Sequence, residues 1–152
     1  MARRVFFSFH FDNDIWRANQ VRNSNVVHGP DAAGFFDHSE YEEAKKKSDD
    51  EIDRMIKARL KGTTVTIVLI GTETASRPWV KREIALSAAQ KNGFLGIRIH
   101  HLKNEKGETS SAGPVPAVPA GVEFPVYSWD GEIEKFKKAI EAAGQRADAW
   151  RE

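Results

Sequence analysis

The chain has 152 residues, of which 40% are apolar, so it can bury one sizeable core but not two. Its 23 Lys and Arg residues nearly cancel its 22 Asp and Glu residues, which excludes the strong basic field that attracts nucleic acid or an anionic membrane surface. It has no cysteine, and this excludes disulfides, thiolate nucleophiles and Cys-ligated zinc. We therefore expect one domain over residues 1–152, in the cytoplasm, with neither nucleic acid nor a membrane as partner.

The first half of the chain alternates strand-like and helix-like patterns. "RVFFSFH" (4–10) predicts a buried first strand, and "DIWRANQVRN" predicts a helix that starts at Asp12 or Asn13. "AAGFFDHS" (32–39) predicts a second strand at the edge of the sheet. "SDDEIDRMIKARLKG" then predicts an amphipathic helix with Ser48 as its N-cap and Ile52, Met55, Ile56 and Leu60 on one face.

The second half continues the alternation. "TTVTIVLIG" (63–71) predicts a central strand, and "SRPWVKREIALSAA" predicts a helix capped by Ser76, with Pro78 in its first turn and Val80, Ile84 and Ser87 or Ala88 facing inward. "FLGIRIH" (94–100) and "PVYSW" (125–129) predict two more strands before a closing helix. Between them, about 102–124 is rich in Gly, Pro and Ser, which predicts an irregular loop, either a lid or a mobile segment.

Strands that alternate with helices predict an α/β fold. We expect a flavodoxin-like three-layer sandwich with a five-stranded parallel sheet in the order 2-1-3-4-5. In that order the binding crevice lies at the carboxyl ends of the first and third strands. Residues 10–14 and 71–74 would therefore line the crevice, and Glu83 would reach it only if it faces inward.

Two well-known site types lack their key residues. A phosphorelay receiver needs an Asp at the end of the third strand and a Lys after the fifth, but Ile70 and Gly71 stand at the first place and "YSWDG" at the second. No glycine-rich phosphate loop is present. His100 and His101 are neighbours on a strand end and point to opposite faces, so we predict no metal site.

Trp79 and Glu83 lie one helical turn apart, and two interpretations are open. The indole could wall a pocket into which the carboxylate points. Alternatively, the Trp packs on the sheet while the Glu stays at the rim, paired with a cation such as Arg82 or Lys81 of a neighbour.

"RVFFSFH", "VTIVLIG" and the W-x-x-x-E pattern of 79–83, in this order, resemble the TIR-like domains of prokaryotes, in particular the ThsB component of the Thoeris antiphage system. The resemblance covers about residues 1–100, although "FDHSEYEEAKKK" stands where the family has a loop with Arg-Asp and Pro-Gly elements. It implies cleavage of the nicotinamide–ribose bond of NAD, with Glu83 as the catalytic carboxylate. The product would be ADP-ribose or a cyclic isomer that acts as an antiphage signal.

The resemblance also implies partners and a binding site. NAD⁺ would be a substrate rather than a cofactor, the signal would reach a nucleotide-sensing effector by diffusion, and the chain could form a homo-oligomer. From their positions we expect substrate contacts from Phe7, Ser8, Phe9, His10, Asn13, Asp14 and Trp79. Arg17, Arg22 and Asn23 are candidates for pyrophosphate contacts. The alternative is a non-catalytic TIR-like module that binds nucleotide or protein.

Overall fold

A computed structural model describes residues 3–24, 26 and 42–152. In chain order these form strand β1 (Val5–Ser8), helix α1 (Phe11–Arg22), helix α2 (Asp49–Leu60), strand β2 (Val65–Ile70), a 3₁₀ turn (Thr74–Ser76), helix α3 (Pro78–Ala89), strand β3 (Gly93–Arg98), strand β4 (Val126–Ser128) and helix α4 (Ile133–Arg151).

The described strands form one parallel sheet in the order β1-β2-β3-β4. The α/β class and the parallel sheet are confirmed, but over residues 3–24, 26 and 42–152 the sheet has four strands rather than the expected five in the order 2-1-3-4-5. The strand predicted over 32–39 lies outside the described residues. The other four predicted strands are present, and they pair with one another in the expected order.

Helices cover both faces of the sheet because the central strands are apolar on both sides. On one face, Phe7 and Ile67 pack with α1 and with Phe136 of α4. On the other face, Phe6 packs with α2, and Val68 and Ile70 pack with α3. Because side chains alternate along β1, Phe7 points to one face of the sheet while Phe6 and Ser8 point to the other.

Three helix starts can be compared with the sequence predictions. The Ser48 cap is confirmed, since its hydroxyl oxygen accepts from the amide of Glu51 at 3.3 Å. Ser76 is not the cap of α3: the helix begins one residue later, with Arg77 at the N-cap and Pro78 as its first residue, while the Ser76 hydroxyl donates to the carbonyl of Glu73 at 2.9 Å. α1 begins at Phe11, slightly before the predicted start. Within the described residues, no helix is long and apolar enough to span a bilayer.

Candidate active site

Glu83 lies at the centre of the candidate site. It sits in the second turn of α3 and is only 3% exposed. The Ser8 hydroxyl, at the end of β1, donates to Glu83 Oε1 at 2.8 Å across the gap between helix and sheet. The contact joins residues 75 positions apart and fixes one carboxyl oxygen at the carboxyl edge of the sheet.

Burial changes the acidity of this carboxyl group. It raises the pKa of Glu83 from 4.5 to about 8, although hydrogen bonds from Ser8 and Trp79 act in the opposite direction. None of the charged side chains in the described part of the chain contributes to the shift. Free Glu83 is therefore mainly neutral at pH 7, and a positive charge placed beside it would favour its ionised form.

The neighbours of Glu83 on α3 explain why it faces inward. Val80 and Ile84 are buried against the sheet, so the apolar stripe of the helix turns Glu83 toward β1. Arg82 points the other way and pairs with Asp49 at 3.4 Å and Asp53 at 3.1 Å on α2. The interpretation that placed Glu83 at the rim, paired with a cation, is wrong for this reason.

A second buried cluster lies where β1 and β2 end. Asp14 and Arg17, one turn apart on α1, form an ion pair of 2.8 Å in which both side chains are almost completely buried. Asp14 Oδ1 also accepts from the side-chain amide nitrogen, Nδ2, of Asn13 at 3.0 Å. The carboxylate lies against Gly71, where any Cβ would collide with it, so a glycine is needed directly after β2.

His10 links the two clusters along the chain. It follows β1, serves as the N-cap position of α1 and is 8% exposed. Burial, with a smaller effect from Arg77, lowers the pKa of His10. Its Nδ1 and Asp14 Oδ2 are buried polar atoms that have no hydrogen-bond partner within the described part of the chain. With His100 Nδ1, two residues after β3, the carboxyl edge holds three such atoms within the described residues, and such atoms are common where a ligand binds.

The structure assigns the predicted site residues to different environments. Ser8, Trp79 and Glu83 are brought together by hydrogen bonds, and Asn13 and Asp14 form the adjoining cluster. Phe9 lies at the same edge, but its ring stacks on Phe11 in the core beneath α1.

Three of the sequence predictions require correction. Phe7 is 1% exposed and belongs to the core between the sheet, α1 and α4, so its side chain cannot contact a substrate beside Glu83. Arg22 and Asn23 lie at the far end of α1, about 17 Å along the helix from Phe11. Arg17 is 1% exposed, and its guanidinium donates to Asp14, Leu102, Glu108 and Ser110, so a pyrophosphate contact would require breaking these bonds.

The sequence predicts the loop that follows β3 as either a lid or a mobile segment, but it does not predict where this loop attaches. Thr72, after β2, donates its hydroxyl proton to the carbonyl of Ser111, and Arg98 donates to the carbonyl of Gly113 at 2.9 Å. These acceptors are backbone carbonyls, which leave no residue-specific signal in a sequence. Only the glycine at 113 carries a hint, because a Cβ there would collide with the carbonyl of Thr72.

Two other features lie away from this site. The described residues contain no group of three or more His, Cys, Asp or Glu that could hold a metal ion. A cavity of about 460 Å³ lies at the opposite end of the sheet, where β3 begins, and is lined by Phe94, Val122, Arg146 and Trp150 among others. It contains none of the predicted site residues.

Comparison with known proteins adds a family to this geometry. The sequence profile described as "Thoeris protein ThsB, TIR-like domain" matches residues 6–104, a range that contains both Ser8 and Glu83. A protein of Bacillus cereus (strain MSX-D12), named "Putative cyclic ADP-D-ribose synthase ThsB1", is 42% identical over 147 aligned residues. The alignment covers 90% of this chain and 77% of that relative.

Proposed function

Because this chain belongs to the Thoeris ThsB TIR-like family, we propose that it cleaves the nicotinamide–ribose bond of NAD⁺ and closes the remaining ADP-ribose into a cyclic product. The observation that carries this proposal is the buried carboxyl group of Glu83, held by Ser8 at the carboxyl edge of the sheet. The 42% identical relative carries the name of a cyclic ADP-D-ribose synthase, which supports the same reaction class.

The chemistry of the leaving group suits a single carboxylate. Nicotinamide carries its positive charge before the bond breaks and leaves as a neutral molecule, so it needs no general acid. The charge that develops is the oxocarbenium character of the ribose, and a carboxylate beside the sugar stabilises it. Glu83 supplies that carboxylate once the cationic nicotinamide riboside approaches and favours its ionised form.

Other groups at the edge would hold the substrate. Ser8 orients one oxygen of Glu83, and Trp79 walls the site beside it. His10, Asn13 and Asp14 offer polar atoms for the sugar hydroxyls. Phe9 would contribute an apolar contact from the neighbouring core. These assignments rest on position at the edge of the sheet.

The proposal extends to the assembly and its surroundings. The segment 32–39 would add a fifth strand beside β1, which pairs on one side only within the described residues.

The cyclic product would act as a diffusible antiphage signal for a nucleotide-sensing effector, and the chain would form a homo-oligomer, as the family resemblance implies. The absence of cysteine supports a cytoplasmic location.

A non-catalytic binding module is the second candidate. The burial of Glu83 favours it, because a neutral carboxyl group can serve as an internal hydrogen-bonding group of the core. The two candidates differ in whether a reaction depends on the charge of Glu83.

Purified protein and NAD⁺ distinguish them. We expect wild type to release nicotinamide over a series of protein concentrations, and Glu83→Gln to release none above background, because the amide cannot stabilise the cationic sugar. Glu134→Gln is the matched control, since this exposed carboxylate lies on α4 and, among the described residues, pairs only with Lys137 at 3.7 Å. Release at background by wild type at every concentration would favour the binding module, whereas equal release above background by wild type and Glu83→Gln would show that the reaction does not depend on Glu83.

A further inference from the structure

The loop after β3 is pinned to the carboxyl edge of the sheet. Its first part, residues 102–113, is called the strap below. It folds back toward the residues that follow β3, since the backbone amide of Ser110 donates to the carbonyl of His100 at 2.8 Å. Inside it, the side-chain oxygen of Asn104 accepts from the amides of Lys106 and Glu108, both at 2.9 Å. The strap is therefore a compact loop with its own internal order.

Arg17 supplies the main attachment of the strap. Its Nε donates to the carbonyl of Leu102 at 2.8 Å, and its Nη2 donates to the carbonyl of Glu108 at 3.0 Å and to Ser110 Oγ at 2.8 Å. Asp14 holds the other side of the guanidinium. One buried side chain on α1 thus holds the strap at three points, at Leu102, Glu108 and Ser110.

The far end of the strap lies on the turn that leads to α3. The carbonyl of Ser111 accepts from Thr72, and Gly113 lies directly on the backbone of Gly71 and Thr72. This turn joins the end of β2 to the helix that carries Glu83. The strap consequently lies at the carboxyl edge, against Arg17 of α1, the turn after β2 and the end of β3.

We propose that Arg17 is a positioning residue that holds the strap as a water-excluding wall of the site, and that this wall directs the reaction toward the cyclic product. The inference rests on the proposed function. After nicotinamide leaves, the anomeric carbon is captured either by water, which gives linear ADP-ribose, or by a nucleophilic atom of the same molecule, which gives a cyclic product. Each route forms one bond to the anomeric carbon and releases one proton to solvent, so only access and position separate them.

Two variants loosen the strap in different ways. Arg17→Lys keeps the positive charge beside Asp14 but cannot reach all three strap acceptors with a single ammonium group. Gly113→Ala leaves Arg17 intact and pushes the strap away from Thr72, because the added methyl group collides with that carbonyl. Lys106→Ala is the control, since this strap side chain is exposed and makes no hydrogen bond or ion pair within the described residues.

The test measures nicotinamide release, the ratio of linear to cyclic product and the KM for NAD⁺. A misplacement of about 1 Å can change a rate by about 10²-fold, so we expect the ratio to rise about tenfold or more in Arg17→Lys and Gly113→Ala and to stay unchanged in Lys106→Ala. Amide hydrogen exchange over 102–113 should speed up in the same two variants.

The outcomes separate this proposal from its premise. If wild type releases no nicotinamide, the proposed function fails and the inference with it. If wild type is active but makes mainly linear product, or if the strap exchanges faster in both variants without a change in the ratio, the strap does not direct the reaction. A higher KM in Arg17→Lys with an unchanged ratio would instead assign Arg17 to the pyrophosphate.

Discussion

The hydrogen bond from Ser8 to Glu83 sets the acidity of the group on which the proposed chemistry depends. The bond lowers the pKa of Glu83, so Ser8→Ala should raise it further. A hydrogen bond to a charged group contributes about 1.5–3 kcal/mol, which corresponds to about one pH unit or more. We expect kcat/KM of wild type to rise with pH and to level off above an apparent pKa near 8. In Ser8→Ala we expect this apparent pKa to be higher by about one unit.

Ser76→Ala is the control for this shift, because the Ser76 hydroxyl donates to the carbonyl of Glu73 and does not touch Glu83. The pH profiles of wild type and both variants decide the matter. An unchanged apparent pKa of kcat/KM in Ser8→Ala would mean that another group governs the pH dependence.

The same carboxyl group should make stability depend on pH. Below pH 4.5 Glu83 is protonated in both the folded and the unfolded chain, but between pH 4.5 and about 8 only the folded chain keeps the proton. The contribution of this group to the free energy of unfolding therefore falls as pH rises through that window, by a few kcal/mol.

Glu83→Gln should remove this contribution, because the amide does not ionise. Urea unfolding at pH 5 and pH 8.5 measures the effect. We expect the unfolding free energy of wild type to fall, relative to that of Glu83→Gln, between pH 5 and pH 8.5. A difference that is the same at both pH values would show that Glu83 does not stay protonated in the folded chain.

At the scale of elements, α2 illustrates how well local chemistry defines a helix. Ser48 and Glu51 form a reciprocal cap, and Ile52, Ile56 and Leu60 bury one face against Phe6. Ser48→Ala should lower the free energy of unfolding by about 1 kcal/mol, because the amide of Glu51 loses its acceptor. Chemical denaturation measures this loss, and Ser76→Ala serves as a control at a serine that caps no helix. A loss no larger than that of Ser76→Ala would contradict the prediction.

Elements with a strong local pattern were predictable, and those that depend on contacts across the fold were not. β2 is buried at every position, and its almost continuous run of apolar and β-branched residues predicts this burial. The start of α3 was misplaced by one residue because Ser76 is used in the 3₁₀ turn rather than as a cap. The loop after β3 has no apolar period, so its attachment to Arg17 had no local signal.

At the scale of the whole molecule, the topology brings the site together. The parallel register aligns Ser8 with Val68 and Gly96, so the ends of β1, β2 and β3 meet at one edge. The sequence predicts this edge because parallel order follows from alternating strands and helices, whereas Glu83 is identified by the W-x-x-x-E resemblance and not by the topology. It could not show that Arg17 faces the strap rather than a ligand, because that direction depends on residues about 85–93 positions away.

The most direct test of the central claim is mass spectrometry of small nucleotides from cells that express wild type or Glu83→Gln, sampled before and after phage challenge. We predict that a cyclic ADP-ribose species appears only with wild type, while both proteins remain soluble at equal levels. The appearance of the same species with Glu83→Gln, or its absence from wild type across several phages, would contradict the assignment of Glu83 as the carboxylate that cleaves NAD⁺.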